Sequence, residues 1–233
     1  MIPPLSVKQL LHNVPIFREL TDEELQSIID ISQTRQFDSK IHVFMQGDVQ
    51  DRVFFIHHGK VKIYKTDFNG REQIVSILKD GDMFPHVGFF RKGVYPAHAE
   101  VIEPTTLIVI PISKFEEILI KYPEVSIKVF RVLGEKIIDL QNRLEEQILS
   151  NTYEQIIKLL LRLADSHGKK IDEDENKYLI TTHFTNRELA NMIGSSRETV
   201  SRTLNQLKKK HFIESDPDGL FILDVEKLKD ELY

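Results

Sequence analysis

The sequence predicts an α+β chain: an N-terminal β-roll of jelly-roll-like, double-sheet form, a long dimerisation helix, and a C-terminal winged helix-turn-helix. Three observations carry this. Between about Thr34 and Pro111 the texture is one of short β-branched and aromatic runs, VFFIHH, KVKIY, QIVSIL and TTLIVIP, divided by turn signals. From Glu124 to about Ser150, apolar residues recur at spacings of three and four among Lys, Glu, Gln and Arg. Residues Thr185 to Glu214, TNRELANMIGSSRETVSRTLNQLKKKHFIE, hold two short amphipathic patterns joined at a glycine and followed by a strand-turn-strand signal. The domains expected are a roll of effector-binding type over 1–123, the long helix over 124–150 and the winged helix over 151–233.

The elements follow in order. In TDEELQSIIDIS, Thr21 and Glu24 stand at the spacing of a capping box, and Leu25, Ile28 and Ile29 share one face of a short helix. Asn69-Gly70, between KVKIYKTDF and REQIVSIL, predicts a hairpin, since both residues tolerate the positive φ of a tight turn. In the long helix Val129, Leu133, Ile137, Leu140 and Leu144 form an apolar stripe. At roughly seven turns of about 5.4 Å each, that helix outruns a small roll. The stripe is therefore expected to be a dimer seam, with packing on the roll as the alternative. A further helix, TYEQIIKLLLRLADSHG, ends at Gly168, and the polar stretch KKIDEDENK leads onward.

Composition limits the chemistry. The 233 residues hold 31 Lys and Arg against 36 Asp and Glu, a formal net charge of −5, so any polyanion site must be local. There is no cysteine, which removes disulfides, thiolate zinc sites, cysteine-ligated iron–sulfur clusters and a cysteine nucleophile together. The N-terminal MIPPLSVKQLLHNVPIF has no basic leader ahead of an apolar core, and no run reaches membrane-spanning length, so the expected location is cytoplasmic, without a membrane partner.

The last third carries the functional reading. Thr185 and Glu188 predict a second capping box, Ile193-Gly194 closes a short helix, and Ser195 or Ser196 can cap the next, which begins at Arg197. That second helix buries Val200, Leu204 and Leu207 and leaves Arg197, Glu198, Ser201 and Arg202 together near its N-terminal end, where a recognition helix meets base edges. An Arg can donate two bonds to guanine, and a carboxylate can accept from the amino group of cytosine. Lys208, Lys209 and Lys210 lack the planar fork and are expected on phosphates, with Thr185, Asn186 and Ser196 completing the backbone set. Between Thr185 and Lys210, six positive residues face Glu188 and Glu198, a local balance of four positive. FIESDPDGLFIL then reads as strand, turn and strand, the wing. The structural alternative is a packing unit in which Glu198 only caps its own helix.

SSRETVSRTLNQL, preceded by a small roll and a long helix, resembles the C-terminal part of bacterial transcription regulators of the CRP/FNR family, and the resemblance covers nearly the whole chain. Its other marks are Gly47-Asp48, Gly59 ending FFIHHG, Asn69-Gly70 with Glu72, and Gly81-Asp82. The resemblance implies a cyclic-nucleotide-binding-type roll and a homodimer on double-stranded DNA at an inverted repeat similar to TGTGA. It implies Arg197, Glu198 and Arg202 as base contacts, with Ser201 where subfamilies differ. In activating relatives the loop after the helix preceding the DNA-binding motif touches RNA polymerase; here that is within SHGKKIDEDENK, which reads equally as a solvated acidic loop.

The same resemblance singles out GDMFPHVGFFRKGVYPAHAE. Cyclic-AMP-binding relatives carry there a Glu for the ribose and an Arg and a Ser for the cyclic phosphate, and the matching positions are His86, Pro96 and Ala97. Proline has neither charge nor donor and alanine has no hydroxyl. Pro85, after Phe84, replaces the glycine of the phosphate-capping turn, and Leu140 and Gln141 fall where relatives place hydroxyl residues against adenine. The expectation is a degenerate pocket that does not take cyclic AMP. Arg91 and Lys92 could serve another ligand or cap a solvated loop. No cofactor and no metal are expected, although His57, His58, His86 and His98 leave heme open. Within the regulator class, control by an unidentified effector or heme in the roll is the second reading, and a scaffold that does not bind DNA is the third. An enzyme is not expected, because no nucleophile stands beside a base and no metal constellation appears.

Overall fold

The computed structural model describes residues 11, 14–17, 20–87, 93–171 and 176–232. The chain divides into two compact units, Met1–Ile138 and Asp139–Tyr233. Arg91, Lys92 and the acidic run 172–175 lie outside the described residues.

The first unit holds two four-stranded antiparallel sheets. One pairs β1 (Gln33–Phe37), β8 (Thr105–Pro111), β3 (Arg52–His58) and β6 (Met83–Phe84) in that order, and the other pairs β2 (His42–Phe44), β7 (His98–Val101), β4 (Val61–Thr66) and β5 (Glu72–Leu78). The strand alternation explains the nearly continuous apolar run of β3. Val53 and Phe55 join Ile108 and Ile110 of β8 in a core shared with helices, while Phe54 and Ile56 join Leu107 and Val109 in a core between the sheets. A sheet covered on both faces needs apolar residues at every position, so period-two patterning disappears. The helical cover includes α1 (Asp22–Ile29), whose predicted capping box is present, and α2 (Ile112–Lys121), which the sequence reading passed over.

The hairpin β4–β5 forms where Asn69-Gly70 predicts it, but its loop is longer than a two-residue turn. Asp67 organises it by accepting from the N–H groups of Asn69 at 2.8 Å and Arg71 at 2.9 Å. Gly70 takes a φ of 73° and Asn69 does not enter the left-handed region, because the Asp67 carboxylate supplies the bonds that a tight turn would have made.

A continuous helix, α3, runs Pro123–Leu149, and the division between the units falls inside it. In the second unit α4 (Thr152–His167) is capped by a box of Asn151 and Glu154. A four-stranded sheet of β11 (Ile213–Ser215), β12 (Phe221–Asp224), β10 (Lys177–Ile180) and β9 (Gly168–Lys170) supports it. Strands β9 and β10 and the last helix, α7 (Val225–Asp230), went unread in the sequence. Leu163 of α4, Ile180, Leu223 and Leu228 are all buried, which fixes the platform on which the helix-turn-helix sits.

Candidate nucleic-acid interface

Local chemistry shapes the helix-turn-helix. Helix α5 (Asn186–Ile193) starts at Thr185, whose hydroxyl oxygen accepts the Glu188 N–H at 3.2 Å while Glu188 accepts the Thr185 N–H at 2.8 Å. It ends at Gly194, φ 68° and ψ 29°, a left-handed residue that a side chain would strain. Two residues later Ser196 caps α6 (Arg197–Lys209) by accepting the Thr199 N–H at 3.1 Å. The cap is thus Ser196, and the Glu198 carboxylate is not used for that purpose.

Helix α6 turns Val200, Thr203, Leu204 and Leu207 into the core and leaves Arg197, Glu198 and Arg202 exposed, with Ser201 half-buried beside them. One face is anchored and the other carries fork donors and a carboxylate, the arrangement that major-groove reading requires. The wing, β11 and β12, closes through Asp216, which accepts the Leu220 N–H on its carboxylate at 2.7 Å and the Gly219 N–H on its carbonyl at 3.0 Å.

Two residues of the expected phosphate set are engaged elsewhere. Lys210 donates to Glu231 at 2.5 Å, which holds its ammonium above the ordinary lysine value, and also reaches the Tyr153 hydroxyl at 3.5 Å. Its charge is thus paired with a residue of the C-terminal segment. The Thr185 hydroxyl and N–H both go to Glu188, because the capping box uses the groups a phosphate would need. Lys209 is exposed at the end of α6 and Asn186 partly exposed at the start of α5. Lys208 lies between helix and wing, donating to the Ser215 hydroxyl at 2.8 Å.

Comparison with known proteins agrees with this geometry. Residues 34–122 match the family model of the cyclic nucleotide-binding domain, and residues 154–231 match that of the Crp-like helix-turn-helix domain. The chain belongs to the CRP/FNR family. A relative from Mycobacterium tuberculosis, a CRP-like cAMP-activated global transcriptional regulator, is 28% identical over 94% of this chain and 97% of its own length. The anaerobic regulatory protein of Bacillus subtilis is 25% identical over 90% of this chain and 87% of its own. A CooA mutant from Carboxydothermus hydrogenoformans shares the fold, with a TM-score of 0.76, 22% identity, and coverage of 95% of this chain and 96% of that one. CRP/FNR proteins are transcription regulators with a DNA-binding helix-turn-helix, and not enzymes.

In the roll of this CRP/FNR chain, several of the described positions that the resemblance assigns to an effector site are buried. Phe84 belongs to the core between the sheets and not to a pocket wall: it is 1% exposed and stacks on Phe54 at 5.2 Å between ring centres. Phe44 and Tyr95 stack beside them at 3.7 Å. Pro85 follows through a cis peptide bond, Pro96 is exposed and Ala97 is buried, so these positions offer no charge and no hydroxyl to a cyclic phosphate. His86 is partly buried. Burial drives its pKa down to about 4, and the Lys136 charge adds to the shift. The Asp82 carboxyl, also near Lys136, is raised by burial.

Of the other histidines on the roll, His58 and His98 have partners, whereas Nδ1 of His57 is buried without one. His58 meets Asp80 at 3.4 Å, and His98 accepts the Gln46 N–H at 3.2 Å while stacking on Tyr64. Burial lowers the pKa of His57. Among the described residues no group of three or more His, Cys, Asp and Glu is placed to hold a metal ion. No described helix is long and apolar enough to cross a membrane.

The apolar stripe of α3 divides in two. Val129 is 2% exposed in the helix-covered core of the first unit, which takes it out of the expected seam, and Leu133, partly buried, packs against that core. Ile137, Leu140 and Leu144 are exposed, as are Ile127, Phe130 and Ile148. The uncovered face therefore follows a different register: Ile127, Phe130, Gly134, Ile137, Gln141, Leu144 and Ile148, at alternating spacings of three and four, with Leu140 on its flank. At Gly134 an added Cβ would meet open space.

Proposed function

We propose that this chain is a sequence-specific transcription regulator that binds an inverted-repeat, TGTGA-like promoter site as a homodimer and does so without cyclic AMP. The observation that carries the reading is α6: a helix anchored by four residues and capped by Ser196, leaving Arg197, Glu198 and Arg202 uncommitted to its own termini. The homodimer reading rests on the exposed alternating face of α3, a knobs-into-holes pattern that leaves several large apolar side chains in water unless a second copy covers it. Independence from cyclic AMP rests on Pro96 and Ala97. In this respect the proposal departs from the M. tuberculosis relative, which is cAMP-activated by its name. No cofactor is proposed. Contact with RNA polymerase is proposed for the segment after α4.

The test is selection of bound sequences from random DNA, with purified protein alone and with cell extract added. Enrichment of one inverted repeat by the protein alone supports the reading. No enrichment in either arm overturns it. Enrichment only with extract would favour the second reading, an unidentified effector in the roll, which has its own observation: Asp82 and His86 are partly buried in the first unit with Lys136 as their electrostatic neighbour.

A further inference from the structure

Beside the base-reading face of α6 lies a cleft of about 220 Å³, walled by the residues before α5, by α6 and by the wing. A single water needs about 10–15 Å³ by the same measure, so the space admits a polyatomic group with its hydration. Its polar lining includes His183, Asn186, Ser201, Asn205, Lys208 and Ser215. None of the lining residues is Asp or Glu, in a chain where acidic residues outnumber basic ones by 36 to 31. Every polar group there can donate a hydrogen bond.

The cation of the cleft is already in position. Lys208 donates to Ser215 across the cleft at 2.8 Å and lies 5.7 Å from the centre of the Phe221 ring, so the side chain is held by the wing before any ligand arrives. An ammonium has three donors and the hydroxyl takes one, leaving two for an anion. Fixing a long side chain in advance removes an entropy cost from binding. Asn205 stands one turn beyond Ser201 on α6, and both it and His183 are exposed. Gly219 at the wing tip comes close enough that an added Cβ would lie 3.8 Å from His183 Nε2.

We infer that this cleft is a binding site for one backbone phosphate of the DNA in each half-site, held by Lys208, Asn205 and His183. The inference rests on the DNA-binding reading above and adds Asn205 and His183, which the sequence did not single out. The site lies next to Ser201, so the phosphate it clamps sets how deeply and at what angle α6 enters the groove. A phosphodiester is the fitting ligand because the cleft is lined by Ser201 and Asn205 of α6 and combines one fixed charge with several neutral donors.

The experiment uses the full-length chain and synthetic duplexes in which single phosphates are replaced by uncharged methylphosphonates. For the wild type, one position per half-site should weaken binding more than its neighbours. The His183→Ala/Asn205→Ala double variant should lose roughly tenfold or more in affinity on selected and scrambled DNA alike, keep its base preference, and lose part of its sensitivity to that one methylphosphonate, the remainder belonging to Lys208. Both side chains are exposed, so its melting temperature should match the wild type. Wild-type affinity in the double variant, or undiminished sensitivity at every position, overturns the inference while leaving the DNA-binding reading intact. Absence of DNA binding by the wild type overturns both. Titration with inorganic phosphate, followed by NMR of the His183 ring, separates a free anion: saturation by phosphate without any methylphosphonate effect would reassign the cleft and also overturn the inference.

Discussion

At the residue scale the proposed interface makes separate demands on the side chains assigned to bases and on those assigned to the backbone. Arg202→Ala should cost roughly 1–3 kcal/mol per half-site on the selected sequence and little on scrambled DNA, measured by salt titration on both. Lys209→Ala should weaken both DNAs similarly and reduce the log–log salt slope by about one unit. Lys210→Ala should change that slope less, because Glu231 already neutralises it. Glu198→Ala should relax preference at one base pair with no change in melting temperature, since Ser196 is the cap. His86 offers a test within the roll. Its folded pKa, about 4, lies below the ordinary value, so the unfolded chain binds the proton more readily and stability is lost as pH falls from about 6.5 towards 4. Between pH 7.5 and pH 5 that loss should be about 2 kcal/mol, seen as the difference in urea unfolding between the wild type and His86→Gln.

At the element scale α3 does two jobs on two faces. Ile137→Asp with Leu144→Asp places carboxylates on the uncovered face, and the double variant should sediment as a monomer with the roll's thermal transition unchanged. Val129→Ala should do the reverse, costing about 1–3 kcal/mol of roll stability without altering the oligomeric state. A dimer that survives the double Asp variant would place the seam elsewhere. Gln141, amid the exposed face, is the polar residue expected to set the register of the paired helices.

At the scale of the whole molecule, an acidic chain carries its helix-turn-helix in one unit, and the other has Pro96 and Ala97 where the resemblance places the partners of a cyclic phosphate. Calorimetry with millimolar cyclic AMP should show no saturating heat, and the nucleotide should leave DNA affinity unchanged. A saturable heat would mean that other groups of the roll have taken over from Pro96 and Ala97.

The sequence by itself determined the parts whose physics is local. Thr21 with Glu24, Thr185 with Glu188, Gly194 and Ser196 act within three or four residues, so their caps and the turn were legible, as were the face of α6 and the wing. That Pro96 and Ala97 carry neither charge nor hydroxyl was legible too, because it is a matter of residue type. Tertiary structure decided which half of the α3 stripe is covered: Val129 and Ile137 look alike in sequence, and only the arrival of α1, α2 and the roll buries one and not the other. It placed Phe84 between sheets, and it brought Glu231 to Lys210 and the wing to Lys208. Amphipathic patterning records that a face is apolar. What covers that face, and which charge finds a partner, depends on segments distant in the chain, and that is settled only when the whole unit packs.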